Sequence, residues 1–383
     1  MQFWIYTVKT TILFEWGFIV LVLFSISKHN SIVSALKPYN FIMTIGLLWI
    51  LSVSVSFLFS PYYSSTNPLA LIRYFETISH ILFFLSLWYA INYIKLHIPL
   101  LFLTHIVAIF IIFIYLLYIL YFIPDIKITN YGISWETTNW TLNTQFRRIG
   151  YLLEVGIVFS FIFLKQHPYK TIILSSFLFS FLLSIGGRAA LVGLFIVLIV
   201  SIYFLKKHIT YTKLLKLFLV FIFSTSFFLY VDILNLHYAS ADIDRTIQST
   251  SLNSLSSSRL DAWLLLINQL QDHWLIGGGP QSYFFYPNRG TIIIHAHNFI
   301  LQFLGEWGII GTLLFIRLLF FALRKSIRMH IAQAKNIYQF LAFMTIVALS
   351  ITGLFGGTFF FPQTAIILIF SFTVITSNNL GAR

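Results

Sequence analysis

The chain has 383 residues, 58% of them hydrophobic and 9% charged, with a formal net charge of +13. A soluble globular domain carries roughly 25% charged residues, and here the apolar residues come in blocks of about 20, the length that crosses a bilayer. The composition excludes a soluble fold and predicts an all-α polytopic membrane protein. The basic excess, lying mostly between the blocks, reads as the positive-inside rule and not as nucleic-acid binding.

In chain order, apolar spans are expected at 8–27, 41–60, 74–94, 98–123, 149–164, 171–186, 189–205, 214–231, 298–321, 337–355 and 363–379. That makes eleven, or twelve if a short N-terminal span is uncounted. A β-barrel would show short alternating segments instead, and none is evident. The N-terminus lacks a small-residue cleavage site behind a short apolar core, so it reads as retained membrane sequence. No cysteine is present, which removes disulfides, thiolate catalysis and cysteine metal sites. The whole of 1–383 is expected to form one integral membrane domain.

Two connections are strongly basic, one with Lys206, Lys207, Lys213 and Lys216, the other with Arg324, Lys325, Arg328 and Lys335. Both belong on the cytoplasmic side. The spans between them then put 232–297, the largest loop, on the external side. The same count places Arg147, Arg148 and Arg188 externally, with the N-terminus outside and the C-terminus inside. Long loops are disproportionately functional. Within this one, Ser258 reads as an N-cap, and Leu260, Trp263, Leu264, Ile267 and Leu270 recur at helical spacing. The spacing predicts a short amphipathic helix that could lie along the membrane surface, ended by a tight turn at Gly277, Gly278, Gly279 and Pro280.

Ionisable groups at membrane depth are costly and are functional by default. Arg188 stands in "LLSIGGRAALVGL", where two spans nearly merge; it is either a ligand-binding cation or a snorkelling interfacial one. Arg259 opens the loop helix, where a cation opposes the macrodipole. An anion bound there, or simple solvation beside Asp261, accounts for it. His297, followed by Asn298, stands at the mouth of an apolar segment. Histidine suits general-base work near neutral pH, although an interfacial polar role also fits. His295 and His297 lack a third ligand at suitable spacing, so no metal is expected.

Gly305, Gly308 and Gly311 recur every three residues and would form one smooth stripe for helix packing. Glu306, about 13 Å below His297 at 1.5 Å per residue, would pair with an arginine or line a polar pathway. Glu154 is a second carboxylate of the external half. The gathered external arginines fit phosphate oxygens bidentately, and a diphosphate engages several of them at once.

"HNFILQFLGEWGIIG", His297 to Gly311, resembles the O-antigen ligase and polymerase superfamily. Its ligases show His, then Asn, Ser or Gln, nine residues, Gly, two residues, and Gly, Thr or Tyr. His297, Asn298, Gly308 and Gly311 meet that pattern in full. "SSRLDAWLLLINQLQDHWLIGGGPQSYF" and "SIGGRAALVGL" are similar to the family's loop and its Ser/Thr–Arg helix junction. The resemblance implies a GT-C-like, metal-independent, inverting glycosyltransferase of the bacterial inner membrane with its active site facing the periplasm. It needs no cofactor. The donor would be an undecaprenyl-diphosphate-linked glycan. The acceptor would be lipid A–core for a ligase, another lipid-linked repeat unit for a polymerase, or a protein in related members. By position His297 would match the base, and Arg188 and Arg259 the diphosphate-binding arginines. Asn298, His295, Glu306, Arg147, Arg148 and Glu154 would be supporting residues. Family ligases usually have twelve spans, one more than the count here.

Overall fold

Among the described residues, continuous helices fall in ten of the eleven expected spans. The computed structural model describes residues 2–28, 40–62, 68–94, 96, 98–99, 102–104, 106–107, 111, 114, 126–129, 132–135, 141–142, 146–160, 167–184, 187–205, 211–231, 259–285, 295–332 and 337–377. The helices are α1 (Gln2–Lys28), α2 (Asn40–Leu58), α3 (Pro68–Tyr89, continued by a π-helical turn Ala90–Ile94), α4 (Phe146–Ser160), α5 (Pro168–Ser184), α6 (Arg188–Leu205) and α7 (Tyr211–Val231). They are followed by α8 (Arg259–His273), α9 (Ser282–Phe285), α10 (Phe299–Ala332), α11 (Ile337–Gly353) and α12 (Pro362–Thr376). Among the described residues, four stretches, Val8–Ile26, Phe41–Leu58, Pro68–Ile94 and Phe299–Arg328, are long and apolar enough to cross a membrane, and six shorter apolar helices accompany them. Of the remaining expected span, 98–123, the described residues all lie between 98 and 114 and are helical.

Several bounds differ from expectation for local reasons. α3 begins at Pro68, since proline suits the first helical turn, and so takes in Arg73. α10 runs on to Ala332 because Arg324, Lys325 and Arg328 are good helix formers and need not mark a loop. Lys325 Nζ donates to the carbonyls of Thr376 (2.7 Å) and Ser377 (3.2 Å), where α12 ends and its carbonyls lack intrahelical partners. Arg147 and Arg148 fall in the first turn of α4. The all-α expectation needs one amendment. Ile126–Thr129, Gly132–Trp135 and Thr141–Leu142 form a small antiparallel sheet in the order β1-β2-β3, in a segment rich in the β-branched residues that favour strands.

The chain groups into two compact units. The first comprises 1–96, 251–343 and 353–383; the second comprises 97–250 and 344–352. In the first, α3 packs against α1, α2 and α12, while α10 packs against α2, α8 and α12. Its core is aromatic: Phe299, Phe303, Trp307 and Phe315 of α10 cluster with Val53, flanked by Trp49 and Phe359. Lipid tails are as apolar as leucine, so the hydrophobic effect does not drive such helices together, and close packing and polar contacts must. Trp49 meets Trp307 edge-on at 5.7 Å, and Phe299 stacks on Phe359 at 4.4 Å. The outward face of α1 presents Leu13, Phe14, Val20 and Leu21, as a lipid-facing helix should.

In the second unit α5 packs against α4 and α7, and α4 against α6. Hydroxyls supply the polar contacts. Ser160 and Ser175 hydroxyls lie 2.6 Å apart between α4 and α5, and Ser176 Oγ donates to the Phe221 carbonyl of α7 at 3.3 Å.

Candidate functional site

The loop helix α8 forms where the apolar spacing predicts it, but a different face is buried. Ala262, Leu266 and Gln269 point inward, whereas Leu264 and Ile267 are exposed. The inward face is chosen by Gly305 of α10: a Cβ there would lie 3.2 Å from the Leu266 side chain. Leu266, Ala262, Tyr283 and Ala296 make a small second core. Tyr283 is buried in it. The expected N-cap Ser258 and the loop stretches 232–258 and 286–294 lie outside the described residues.

After α8 the chain turns through Gly277 (φ 80°) and Gly279 (φ 91°), as the glycine run predicts. This turn fills a break in α10. Gly308 has φ 64° and ψ −170°, a region open only to glycine, and it kinks the helix. Two main-chain bonds of a regular helix, Ile309 N–H to Gly305 and Ile310 N–H to Glu306, are replaced. Ile309 N–H instead donates to the Trp274 carbonyl (2.9 Å) and Ile310 N–H to that of Leu275 (3.4 Å). The Gly305 carbonyl accepts from Gly278 N–H (2.8 Å) and Ser282 Oγ (3.1 Å). The Glu306 carbonyl accepts from Gly279 N–H (3.1 Å) and Ser56 Oγ (2.5 Å). Every group released by the kink is thus paired, as buried main chain in a membrane demands.

The expected glycine stripe is therefore three separate devices. Gly305 admits Leu266, Gly308 makes the kink, and Gly311 faces Trp307 of its own helix and Ser52 of α2. A smooth packing face would need an unbroken helix, which the positive φ of Gly308 prevents.

The kinked helix carries the histidine segment at its mouth. His297 has φ 54°, an uncommon conformation for a residue with a side chain. Its neighbours hold it there. Ala296 N–H donates to Gln302 Oε1 (2.8 Å), and the Ala296 carbonyl accepts from the Trp263 indole N–H (2.8 Å). His297 N–H donates to His295 Nδ1 at 3.1 Å, and the two rings lie 4.0 Å apart. Asn298 caps α10: its Oδ1 accepts from the N–H groups of Ile300 (3.0 Å) and Leu301 (3.1 Å). His297, His295 and Gln302 border a small cavity of about 210 Å³.

Glu306 pairs with an arginine, and that arginine is one the spans concealed. Arg73 of α3 is buried, with Nε 3.4 Å from Glu306 Oε2 and an Nη 2.8 Å from Glu76. Gln302 Nε2 donates to the other oxygen of Glu306 at 2.5 Å. Further along α3, His80 Nδ1 is 2.5 Å from Glu15 of α1, which also accepts from Ser79 Oγ. Arg73, Glu76 and His80 follow at i, i+3 and i+7, one helix face, and such a row of charges within a span is the signal that could have revealed them. A second cavity of about 640 Å³, lined by Trp49, Arg73, His80, Phe303 and Trp307 among others, opens beside this row.

Of the expected arginines, Arg259 opens α8 in the same unit as His297, one helical turn before Trp263. Arg188 opens α6 in the second unit and is half-buried. Glu154, also in the second unit, is fully buried, with Thr352 Oγ1 lying 2.8 and 2.9 Å from its two oxygens.

Compared with known families, residues 172–316 match the family described as O-antigen ligase. The match takes in α6, α8 and the histidine segment. No curated protein matches the chain.

Proposed function

We propose, from the match of residues 172–316 to the family described as O-antigen ligase, that the protein transfers an undecaprenyl-diphosphate-linked glycan to lipid A–core. It works in the bacterial inner membrane, on the periplasmic side, within a GT-C-like bundle of eleven or twelve spans. The loop 232–297 supplies its catalytic face. The observation that carries the reading is His297, held in a left-handed conformation by bonds to both the N–H and the carbonyl of Ala296, at the mouth of a membrane helix. Uncommon backbone conformations that persist because the surroundings over-determine them cluster at active sites.

In this mechanism His297 takes the proton from an acceptor hydroxyl. The hydroxyl oxygen attacks the anomeric carbon from the face opposite the diphosphate. The bond from that carbon to the diphosphate oxygen breaks, and the sugar configuration inverts. A diphosphate leaves without a general acid, unlike an alkoxide in glycoside hydrolysis. Arg188 and Arg259 hold it and stabilise the charge it gains, each by a few kcal/mol at a water-poor surface. Base catalysis contributes about 10²–10⁴-fold. His295, Asn298 and Glu306 support the histidine segment, and Arg147, Arg148 and Glu154 are further supporting residues.

A polymerase shares the same histidine motif and chemistry and differs in acceptor. Reconstitution with a purified lipid-linked glycan, offering lipid A–core and a second lipid-linked repeat unit side by side, separates them. Glycosylated lipid A–core is the expected product; a glycan dimer on the carrier would make the protein a polymerase, and a glycosylated protein would make it an oligosaccharyltransferase.

A further inference from the structure

Arg73 lies in α3, and two routes run from it to the histidine segment. The first is polar. Arg73 Nε pairs with Glu306 Oε2 (3.4 Å), Glu306 Oε1 accepts from Gln302 Nε2 (2.5 Å), and Gln302 Oε1 accepts from Ala296 N–H (2.8 Å). Gln302 uses both ends of its amide, so its position fixes the peptide that joins His295 to Ala296. The second route is aromatic. Arg73 Cζ lies 4.9 Å from the centre of the Phe360 ring. Phe360 stacks on His295 at 4.8 Å, and the His295 ring lies 4.0 Å from that of His297. Gly357 makes room for this stack, since a Cβ there would come within 2.7 Å of the His295 ring.

We propose that Arg73 is a positioning residue that sets the place of the His297 imidazole from below, by holding the Ala296 peptide through Glu306 and Gln302 and the His295 ring through Phe360. The inference rests on His297 as the base. Burying a guanidinium in a membrane is costly, and that cost is met here by two carboxylates. One carboxylate would have sufficed to neutralise it. Glu306 adds a link to α10, so that the segment is tied to α3 as well as to the loop helix. A planar cation is required: it forks toward Glu76 and Glu306 and lies on an aromatic face, which an ammonium cannot do together.

The test uses the full-length protein in lipid nanodiscs with two variants, Arg73→Lys and Gln302→Met, and two readouts. Hydrogen–deuterium exchange follows the peptide 295–301. Turnover is measured with a polyprenyl-diphosphate-linked oligosaccharide. Loss of one hydrogen bond of ordinary net strength should speed exchange at Ala296 by about tenfold. A misplacement of about 1 Å should lower kcat by about 10²-fold with KM for the donor nearly unchanged. A role in folding alone would instead lower the yield of folded protein and leave kcat per folded molecule intact. Unchanged exchange in both variants overturns the polar route; faster exchange with unchanged kcat overturns the positioning role. If Arg73→Lys does not fold, Gln302→Met, which adds no charge, decides. His297→Ala is assayed beside them. Full turnover in that variant would remove the base and not the link from Arg73 to the loop, which the exchange readout reports by itself.

Discussion

The main-chain N–H of Gly278 donates to the carbonyl of Gly305 at 2.8 Å and so joins the turn after α8 to a membrane helix. Around this bond, the turn after α8 takes the place of the missing helical bonds at the Gly308 kink. The loop is therefore not draped over the helix but built into it. That explains how a histidine at a helix mouth can be held rigidly enough for chemistry.

Gly308→Ala should be severely destabilising. Its conformation is open only to glycine, and a Cβ would run into the Leu275 carbonyl. Gly277→Ala should behave alike, since its Cβ would lie 2.5 Å from the Glu306 carbonyl oxygen. A loss of about 3 kcal/mol or more is expected for each, as strain and broken main-chain bonds add. Gly17→Ala is the control: nothing lies within 4 Å of its Cβ, so the helix should gain up to about 1 kcal/mol. Thermal unfolding in detergent measures all three.

Glu154 and Thr352 offer a cleaner case of a buried polar pair. Thr352→Val removes the hydroxyl lying 2.8 and 2.9 Å from the two carboxyl oxygens and leaves Glu154 buried without it. It should cost about 1–3 kcal/mol, more than Glu154→Gln, which keeps a group that bonds the hydroxyl. Denaturant titration of the two single variants and the double variant gives the coupling directly.

Arg188→Lys should keep only part of the activity if Arg188 grips a diphosphate. An ammonium retains the charge but not the two-pronged fit to phosphate oxygens. A loss of about 10-fold in kcat/KM is expected, against a larger loss for Arg188→Ala. Full activity of the lysine variant would make Arg188 an interfacial anchor. Glycan transfer assayed at several donor concentrations reads the difference.

Much of this architecture was legible in the residues. Twenty-residue apolar blocks announce membrane helices because bilayer thickness leaves few alternatives. The loop helix and its glycine turn follow from spacing and from the conformational freedom of Gly277 and Gly279. Glu76 and His80 were missed because an average over a span dilutes ionisable groups among many leucines and phenylalanines, and Arg73 because the expected span began one residue after it. Their shared face becomes visible only when the span is read as a helix. Gly308 was misread for a different reason. A glycine every third residue looks the same whether it makes a stripe or a kink, and only the partner turn decides. Asn298 likewise serves as a cap because its side chain reaches the open N–H groups of α10.

The role of His297 is tested most directly by single-turnover transfer with His297→Ala, with saturating polyprenyl-diphosphate-linked glycan and lipid A–core, alongside donor binding to the same protein. The expected result is a transfer rate lower by about 10²-fold or more, with donor affinity close to that of the unaltered protein. Transfer at an undiminished rate would contradict the account.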